Sequence, residues 1–358
     1  MNWRYLVYPL LEQARSLGME RVVLWRWIAG TWQASLQALS CAAITALAWQ
    51  AFGSRVVALV AMVLSSLHPW WLGHLMIVDD RALIQCLISN WLTVILSTVG
   101  TGGVIGPLAV GLLSGALLVL RPGTLVALGF ALVWYLWRLR LVARGWLAAL
   151  IVVLALTNFL ATWFVRHWWD TGEVIPLAAI FWQKLYEGLP VASEPLNTPA
   201  ELSWRETAGL VTRTWRQSWP AWWQYRMTIW SEAFRAHRSA PLLIPAWLSP
   251  ASLDTYLMAG QLLFLAAVLL GWRWSFAWFR EHRPMTWAAI FLPLAYAWGN
   301  SASLSEGLVL AEPVFLVYAS LAVTGMIPWL GSRLFAERHR FVSEVPQESA
   351  GGRSSDLR

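Results

Sequence analysis

Charge is the scarcest property of this 358-residue chain. Asp, Glu, Lys and Arg together make up 13% of the residues, whereas 58% are hydrophobic. The mean hydropathy is +0.54. A soluble protein of this length needs more charged side chains to cover its surface. The composition therefore excludes an ordinary soluble domain and predicts an all-α polytopic membrane protein that contacts the lipid bilayer.

Several chemical motifs are also missing. The two cysteines, Cys41 and Cys86, lie in apolar runs, so neither a disulfide framework nor a metal motif is predicted. The sequence has no Walker loop, no Gly-x-Gly-x-x-Gly after a strand and no His-Glu-x-x-His. These absences disfavour ATP-driven transport and zinc proteolysis, and we expect no metal and no cofactor. The N-terminus also lacks the apolar core and cleavage site of a signal peptide.

The charge-free runs predict about nine transmembrane helices, because about 20 apolar residues cross a bilayer. The runs lie between Arg26 and Arg55, between Arg55 and Asp79, between Arg81 and Arg121 (two helices, broken by "GTGGVIGP" at 100–107), and at 122–137, 146–165, 255–272, 284–305 and 313–332. The predicted regions are an external N-terminal segment (1–26), a transmembrane region (27–165), an external helical segment (166–253), C-terminal transmembrane helices (254–332) and a disordered cytoplasmic tail (333–358).

The positions of the basic residues predict the orientation. If the helices alternate in direction, one side carries Arg55, Arg138, Arg140, Arg144, Arg273, Arg280, Arg283, Arg333, Arg338 and Arg340. Basic residues concentrate on the cytoplasmic side of a membrane. Asp79 and Asp80 would then face outward from an inner, cytoplasmic membrane. The same rule accounts for the net charge of +7, so no nucleic-acid partner is expected.

The external segment 166–253 is rich in tryptophan, with ten of the 28 Trp residues of the chain. Thr198-Pro199-Ala200-Glu201 is typical of a capping box. Downstream, Trp204, Ala208, Val211 and Trp215 share one helical face, which predicts an amphipathic helix. Such helices either lie on the outer membrane surface or pack against each other as a small domain.

The order of these features resembles the GT-C superfamily of membrane glycosyltransferases, in the branch that contains protein O-mannosyltransferases and the lipid A aminoarabinose transferase. The matching pieces, in chain order, are Phe52-Gly53-Ser54-Arg55, His68-Pro69-Trp70, Asp79-Asp80, "GLLSGALLVLRPGT" at 111–124 and Glu312-Pro313. The resemblance implies a GT-C-like helical bundle that covers roughly residues 5–330.

The resemblance also implies a function. Such enzymes move a sugar from a polyprenyl-phosphate donor to a protein, lipid or glycan acceptor on the outer face of the membrane, with inversion at the anomeric carbon. Asp79 and Asp80 would then be the catalytic carboxylates. The candidates for substrate binding are Arg121, His74, Arg216 and Glu312.

Each candidate also has a purely structural interpretation. Asp79 and Asp80 are equally typical of a charged end of a membrane span, and Arg121 of a snorkelling arginine. His74 fits an interfacial histidine, and Arg216 a contact with lipid headgroups. Glu312, next to Pro313, is typical of an acidic residue at a helix start.

One departure from the family pattern matters. The family's first helix and principal catalytic aspartate precede a "YPLL" segment, which here is Tyr8-Pro9-Leu10-Leu11, and residues 1–78 contain no Asp. The resemblance thus leads us to expect either a misassigned start or an inactive membrane partner protein. A secondary transporter is a further alternative. It would require substrate groups at the bilayer midplane and internal repeats, and the sequence shows neither.

Overall fold

The computed structural model describes residues 21–68, 81–99, 103–141, 145–171, 204–217, 250–278, 283–296 and 301–327, with isolated positions at 220–228 and at 332. Within these ranges the regular structure consists of α-helices and one short 3-10 turn, and the all-α prediction is confirmed there. The α-helices are α1 (Arg21–Phe52), α2 (Arg55–Leu67), α3 (Arg81–Thr98), α4 (Ile105–Leu120), α5 (Leu125–Leu139), α6 (Gly145–Thr171), α7 (Trp204–Gln217), α8 (Pro250–Trp278), α9 (Arg283–Tyr296) and α10 (Ser301–Met326).

Four of the described helices are long and apolar enough to cross a membrane. These spans are Gly30–Phe52, Gly145–Arg166, Ala259–Phe276 and Gly307–Met326. Helices α2, α3, α4 and α5 are apolar but shorter. A membrane protein is therefore supported, and the count of nine spans stays a prediction.

The turn between α1 and α2 follows from its two central residues. Gly53 has φ 64°, a left-handed conformation that side chains with a Cβ rarely adopt. Its N–H donates to the Trp49 carbonyl at 2.6 Å, which closes α1. The hydroxyl of Ser54 then accepts from the Val57 N–H at 3.4 Å and caps α2.

Helix α10 lies at the centre of the bundle. It packs against α1, α2, α3, α8 and α9. Of its span, 83% is buried, compared with 17% of the span in α6, which packs mainly against α4. Helix α10 is thus the core around which the other described helices are arranged.

The contacts between helices set their directions. Trp91 of α3 donates to the Ser114 hydroxyl of α4 at 2.8 Å, near the middle of both helices. The C-terminal turns of α3 and α5 meet where Thr98 bonds the Tyr135 hydroxyl at 2.8 Å. Helix α4 therefore runs opposite to both α3 and α5, and the start of α3 lies at the same end of the bundle as the last turn of α4.

The end of the bundle where α3 and α5 finish is basic. Arg55, at the start of α2, lies over the Trp49 ring at 5.5 Å, and Arg140, after α5, lies over Trp137 at 4.8 Å. Arg–Trp pairs of this kind are favourable where an apolar surface meets water. We call this end the basic end, and the end that holds the start of α3 the opposite end.

Two predicted helix limits are wrong. The runs 284–305 and 313–332 are two separate helices as expected, but their limits differ. Helix α9 ends at Tyr296, and α10 begins at Ser301 and continues through Pro313. Proline favours the first turn of a helix, which is why Pro313 indicated a helix start. The break expected at 100–107 is confirmed, because α3 ends at Thr98 and α4 begins at Ile105.

The amphipathic helix expected after residue 203 is present as α7. Thr207 and Val211 are buried, whereas Glu206 and Arg213 are exposed. The proposed capping box at 198–201 lies outside the described residues. The position of α7 relative to the membrane stays a prediction.

Candidate functional site

The structure describes some of the predicted site residues and not others. Asp79, Asp80 and His74 belong to the segment 69–80, which lies outside the described residues. The backbone of Arg216 is part of α7, but its side chain is also outside them. Arg121 and Glu312 are described. Arg121 lies in a turn near the opposite end of the bundle, and Glu312 belongs to a buried hydrogen-bonded pair in the same half.

Glu312 is buried inside the central helix. Its side chain is 2% exposed, and Oε2 accepts a hydrogen bond of 2.9 Å from the Gln85 amide. The interpretation of Glu312 as an acidic residue at a helix start is wrong, because α10 begins at Ser301. A carboxyl group buried among apolar helices is costly unless it is hydrogen-bonded. The Gln85 amide therefore gives Glu312 a defined position in the bundle.

Gln85 connects this carboxyl group to α3, the helix that follows the predicted catalytic segment in the chain. The residue is 1% exposed and lies four positions after Arg81, where α3 begins. That is about 6 Å along a helix axis. Asp79 and Asp80 come directly before Arg81 in the chain. The Gln85–Glu312 pair thus lies inside the bundle, about one helical turn from the start of α3.

His68 comes just before the same segment. It follows the last residue of α2 and is 7% exposed. Its ring centroid lies 5.3 Å from that of Phe264 in α8, a distance typical of packed rings. This contact indicates that His68 fixes the end of α2 against α8.

Arg121 lies in a compact turn at the C-terminus of α4. Its backbone N–H donates to the Leu117 carbonyl at 2.8 Å. Its own carbonyl accepts from the Thr124 N–H at 2.9 Å and from the Thr124 hydroxyl at 2.7 Å. The side chain is partly buried. The backbone of this cation is therefore held firmly at the opposite end of the bundle.

A second arginine lies at the same level on α6. A Cβ on Gly111 would meet Ala155, and one on Gly115 would meet Phe159, so α4 and α6 run in parallel at close range. Extending this register to the end of α4 places Arg121 level with the turn of Arg166. Arg166, with Ala161, Thr162, Val165 and Trp169, lines a groove of about 510 Å³. An apolar groove that leads to a guanidinium suits a lipid with an anionic headgroup.

Among the described residues, no three His, Cys, Asp or Glu side chains are placed to hold a metal ion.

Sequence reasoning missed two residues of the site, Gln85 and Arg166. The available signal for Gln85 was a lone amide in the first turns of an apolar helix, where polar groups are costly and tend to bond a neighbouring helix.

We compared the chain with known protein families, with curated proteins and with solved structures, and nothing matched.

Proposed function

We propose that this protein is a membrane glycosyltransferase. It takes a sugar from a polyprenyl-phosphate donor and transfers it to a protein, lipid or glycan acceptor at the outer face of the inner membrane. The observation that carries the proposal is the buried Gln85–Glu312 pair, in which Gln85 belongs to the helix that directly follows Asp79 and Asp80 in the chain. Ionisable side chains inside membrane bundles are rare and usually functional, because burying them is costly.

The cations at the same end of the bundle support a phosphate-bearing donor. Arg121 and Arg166 lie at one level on two parallel helices, and the groove beside Arg166 is mostly apolar. Guanidinium groups bind phosphate through paired, charge-assisted hydrogen bonds. The polyprenyl chain would follow the exposed flank of α6 in the lipid, with its phosphate at the level of these arginines.

The proposed transfer step needs no further reactant. The acceptor oxygen attacks the anomeric carbon while the bond between that carbon and the phosphate oxygen breaks. The acceptor proton passes to Asp79 or Asp80, and the polyprenyl phosphate leaves with the bonding electrons. A carboxylate suits this task because it accepts a proton during bond formation. Glu312 would hold a hydroxyl group of the sugar or of the acceptor.

The proposal requires a particular topology. Nine described helices, all except α7, would span the membrane, with the basic end in the cytoplasm and the opposite end outside. Labelling a single cysteine at position 79 tests this directly. Cys41 and Cys86 are first replaced by Ala, and Asp79→Cys is then exposed to membrane-impermeant maleimide in sealed cells. We expect labelling from outside. Labelling only after the membrane is opened would rule out an external site.

An activity assay tests the chemistry. Purified protein in proteoliposomes is given polyprenyl-phosphate sugars, and sugar transfer and polyprenyl-phosphate release are both measured. Asp79→Asn, Asp80→Asn, Glu312→Gln and Arg121→Gln variants are compared with Arg55→Gln, a cation at the basic end. We expect at least one Asp variant, and both the Glu312 and Arg121 variants, to lose activity while Arg55→Gln keeps it. Full activity in both Asp variants would remove the proposed catalytic role.

A second candidate, a proton-coupled transporter, is favoured by the depth of Glu312. Transporters carry ionisable groups within the bundle and often on interrupted helices. The two functions differ in the assay above, because a transporter releases no polyprenyl phosphate. Solute uptake driven by a proton gradient and abolished by Glu312→Gln would favour the transporter. An inactive membrane partner would show neither activity.

A further inference from the structure

The central helix contains a gap in its own hydrogen bonding. In an α-helix the carbonyl of one residue accepts from the N–H four positions later. Four positions after Val309 comes Pro313, which has no N–H to donate. Val309 is 1% exposed and Pro313 is buried. A buried carbonyl deprived of its helix donor is costly inside a bilayer unless another group replaces that donor.

Gln85 supplies the replacement from a different helix. Its Nε2 donates to the Val309 carbonyl at 3.1 Å and to Glu312 Oε2 at 2.9 Å. An amide nitrogen carries two hydrogens, so both can be used at once. The side chain of α3 thus completes the α10 backbone and holds the α10 carboxyl group with one nitrogen atom.

The carbonyl also decides which way the amide faces. With the amide reversed, Oε1 of Gln85 would face two acceptor oxygens and both bonds would be lost. The Val309 carbonyl, always an acceptor, therefore keeps the N–H groups toward α10. Glu312 Oε2 is consequently presented with a donor, and the carboxyl group is held in one orientation.

We infer that Gln85 is a positioning residue: it occupies the donor position that Pro313 leaves vacant on the Val309 carbonyl, and it thereby holds Glu312 in place for its ligand. The helix that follows the Asp79–Asp80 segment is coupled in this way to the helix that carries Glu312. The structural part of the inference stands on its own, whereas the role in sugar transfer rests on the proposed function.

A stability cycle tests the structural part. Gln85→Met removes both donors with little change in size, and Pro313→Ala restores the helix N–H that Val309 lacks. We expect Gln85→Met to lower the Tm of the full-length protein by about 4–8 °C, because two buried bonds are lost. Pro313→Ala should raise the Tm more in the Gln85→Met background than in the wild type. Equal shifts in both backgrounds would overturn the inference.

Two matched controls isolate the effect. Gln261 in α8 is also buried, but its Oε1 has no hydrogen-bond partner, so Gln261→Met should leave the Tm unchanged or raise it. Pro293→Ala changes a proline inside α9 and should show no coupling to Gln85→Met. If Gln85→Met alone does not fold, it should fold together with Pro313→Ala. Failure of that double variant as well would contradict the inference.

The positioning role is tested by a measurement that does not respond when Pro313→Ala restores the helix hydrogen bond of Val309. The infrared band of the Glu312 side chain is identified by its absence in Glu312→Gln. This band should shift in Gln85→Met. It should stay shifted in the double variant, in which Pro313→Ala restores the Tm. Transfer activity should likewise stay reduced by about tenfold or more in the double variant. If the band does not shift, or if the band or the activity recovers together with the Tm, Gln85 only replaces the missing donor of the Val309 carbonyl and does not position Glu312. Absence of transfer in the wild type would refute the proposed function, while the Tm cycle and the band would still decide the role of Gln85.

Discussion

Helices α10 and α6 are both long and apolar, but they have opposite surroundings. The span in α6 is the more apolar, with a mean hydropathy of 2.2 against 1.8, yet only 17% of it is buried, compared with 83% in α10. The buried face of α10 includes Glu312, Ser320 and Thr324. In a bilayer the lipid is as apolar as leucine, so the most apolar helix gains nothing by moving inward. Small and polar groups mark the centre of this bundle.

The largest effect should come from closing the space between α8 and α10. A Cβ on Gly271 would overlap the Tyr318 carbonyl, a backbone atom that cannot turn aside. Gly271→Ala should therefore cost about 3 kcal/mol or more, at the upper end for overpacking, and reduce the yield of monodisperse protein. Size-exclusion profiles and thermal unfolding in detergent measure this.

The matched control is another glycine of the same helix. No atom lies within 4 Å of a Cβ built on Gly260. Gly260→Ala should stabilise the helix by about 0.5–1 kcal/mol, because alanine loses less backbone entropy than glycine on folding. If Gly271→Ala and Gly260→Ala changed the stability equally, α8 would not pack closely on α10 at Gly271.

The next largest effect compares one leucine in each helix. Leu316 in α10 is fully buried, whereas Leu154 in α6 is 57% exposed. Leu316→Ala leaves a cavity and should cost about 2–5 kcal/mol. Leu154→Ala should change the free energy of unfolding by less than about 0.5 kcal/mol, because lipid replaces the lost contacts. A large cost at Leu154 would instead show that α6 packs against another protein surface.

Local signals were enough to predict much of this fold. The boundary between α1 and α2 near Arg55 and the break between α3 and α4 at 100–107 were predicted from residues that lie next to each other in the chain. The limits of α9 and α10 did not follow, because Pro313 indicates a helix start when only its neighbours are considered. Inside α10 the carbonyl that Pro313 leaves without a donor is bonded by Gln85, which is 224 residues away in the chain. Arg166 was missed for a similar reason, since its alignment with Arg121 arises from the close packing of α4 and α6.

The smallest effect concerns single hydroxyl groups. The Tyr318 hydroxyl of α10 bonds that of Thr286 in α9 at 3.0 Å, and both residues are buried. The Thr162 hydroxyl of α6 donates to the Asn158 carbonyl of its own helix at 2.8 Å and is exposed. Tyr318→Phe and Thr286→Val should show a coupling free energy of about 0.6 kcal/mol, the average for hydrogen bonds between membrane helices.

Thr162→Val provides the contrast on α6. Back-bonding of a threonine to its own helix contributes little to stability, so the variant should match the wild type within about 0.5 kcal/mol. Reversible unfolding in mixed micelles compares the wild type with all four variants, including the Tyr318→Phe, Thr286→Val double variant. A coupling near zero, together with a clear loss in Thr162→Val, would mean that polar bonds stabilise the rim of the bundle more than its centre. The contrast between α10 and α6 would then have to come from packing alone.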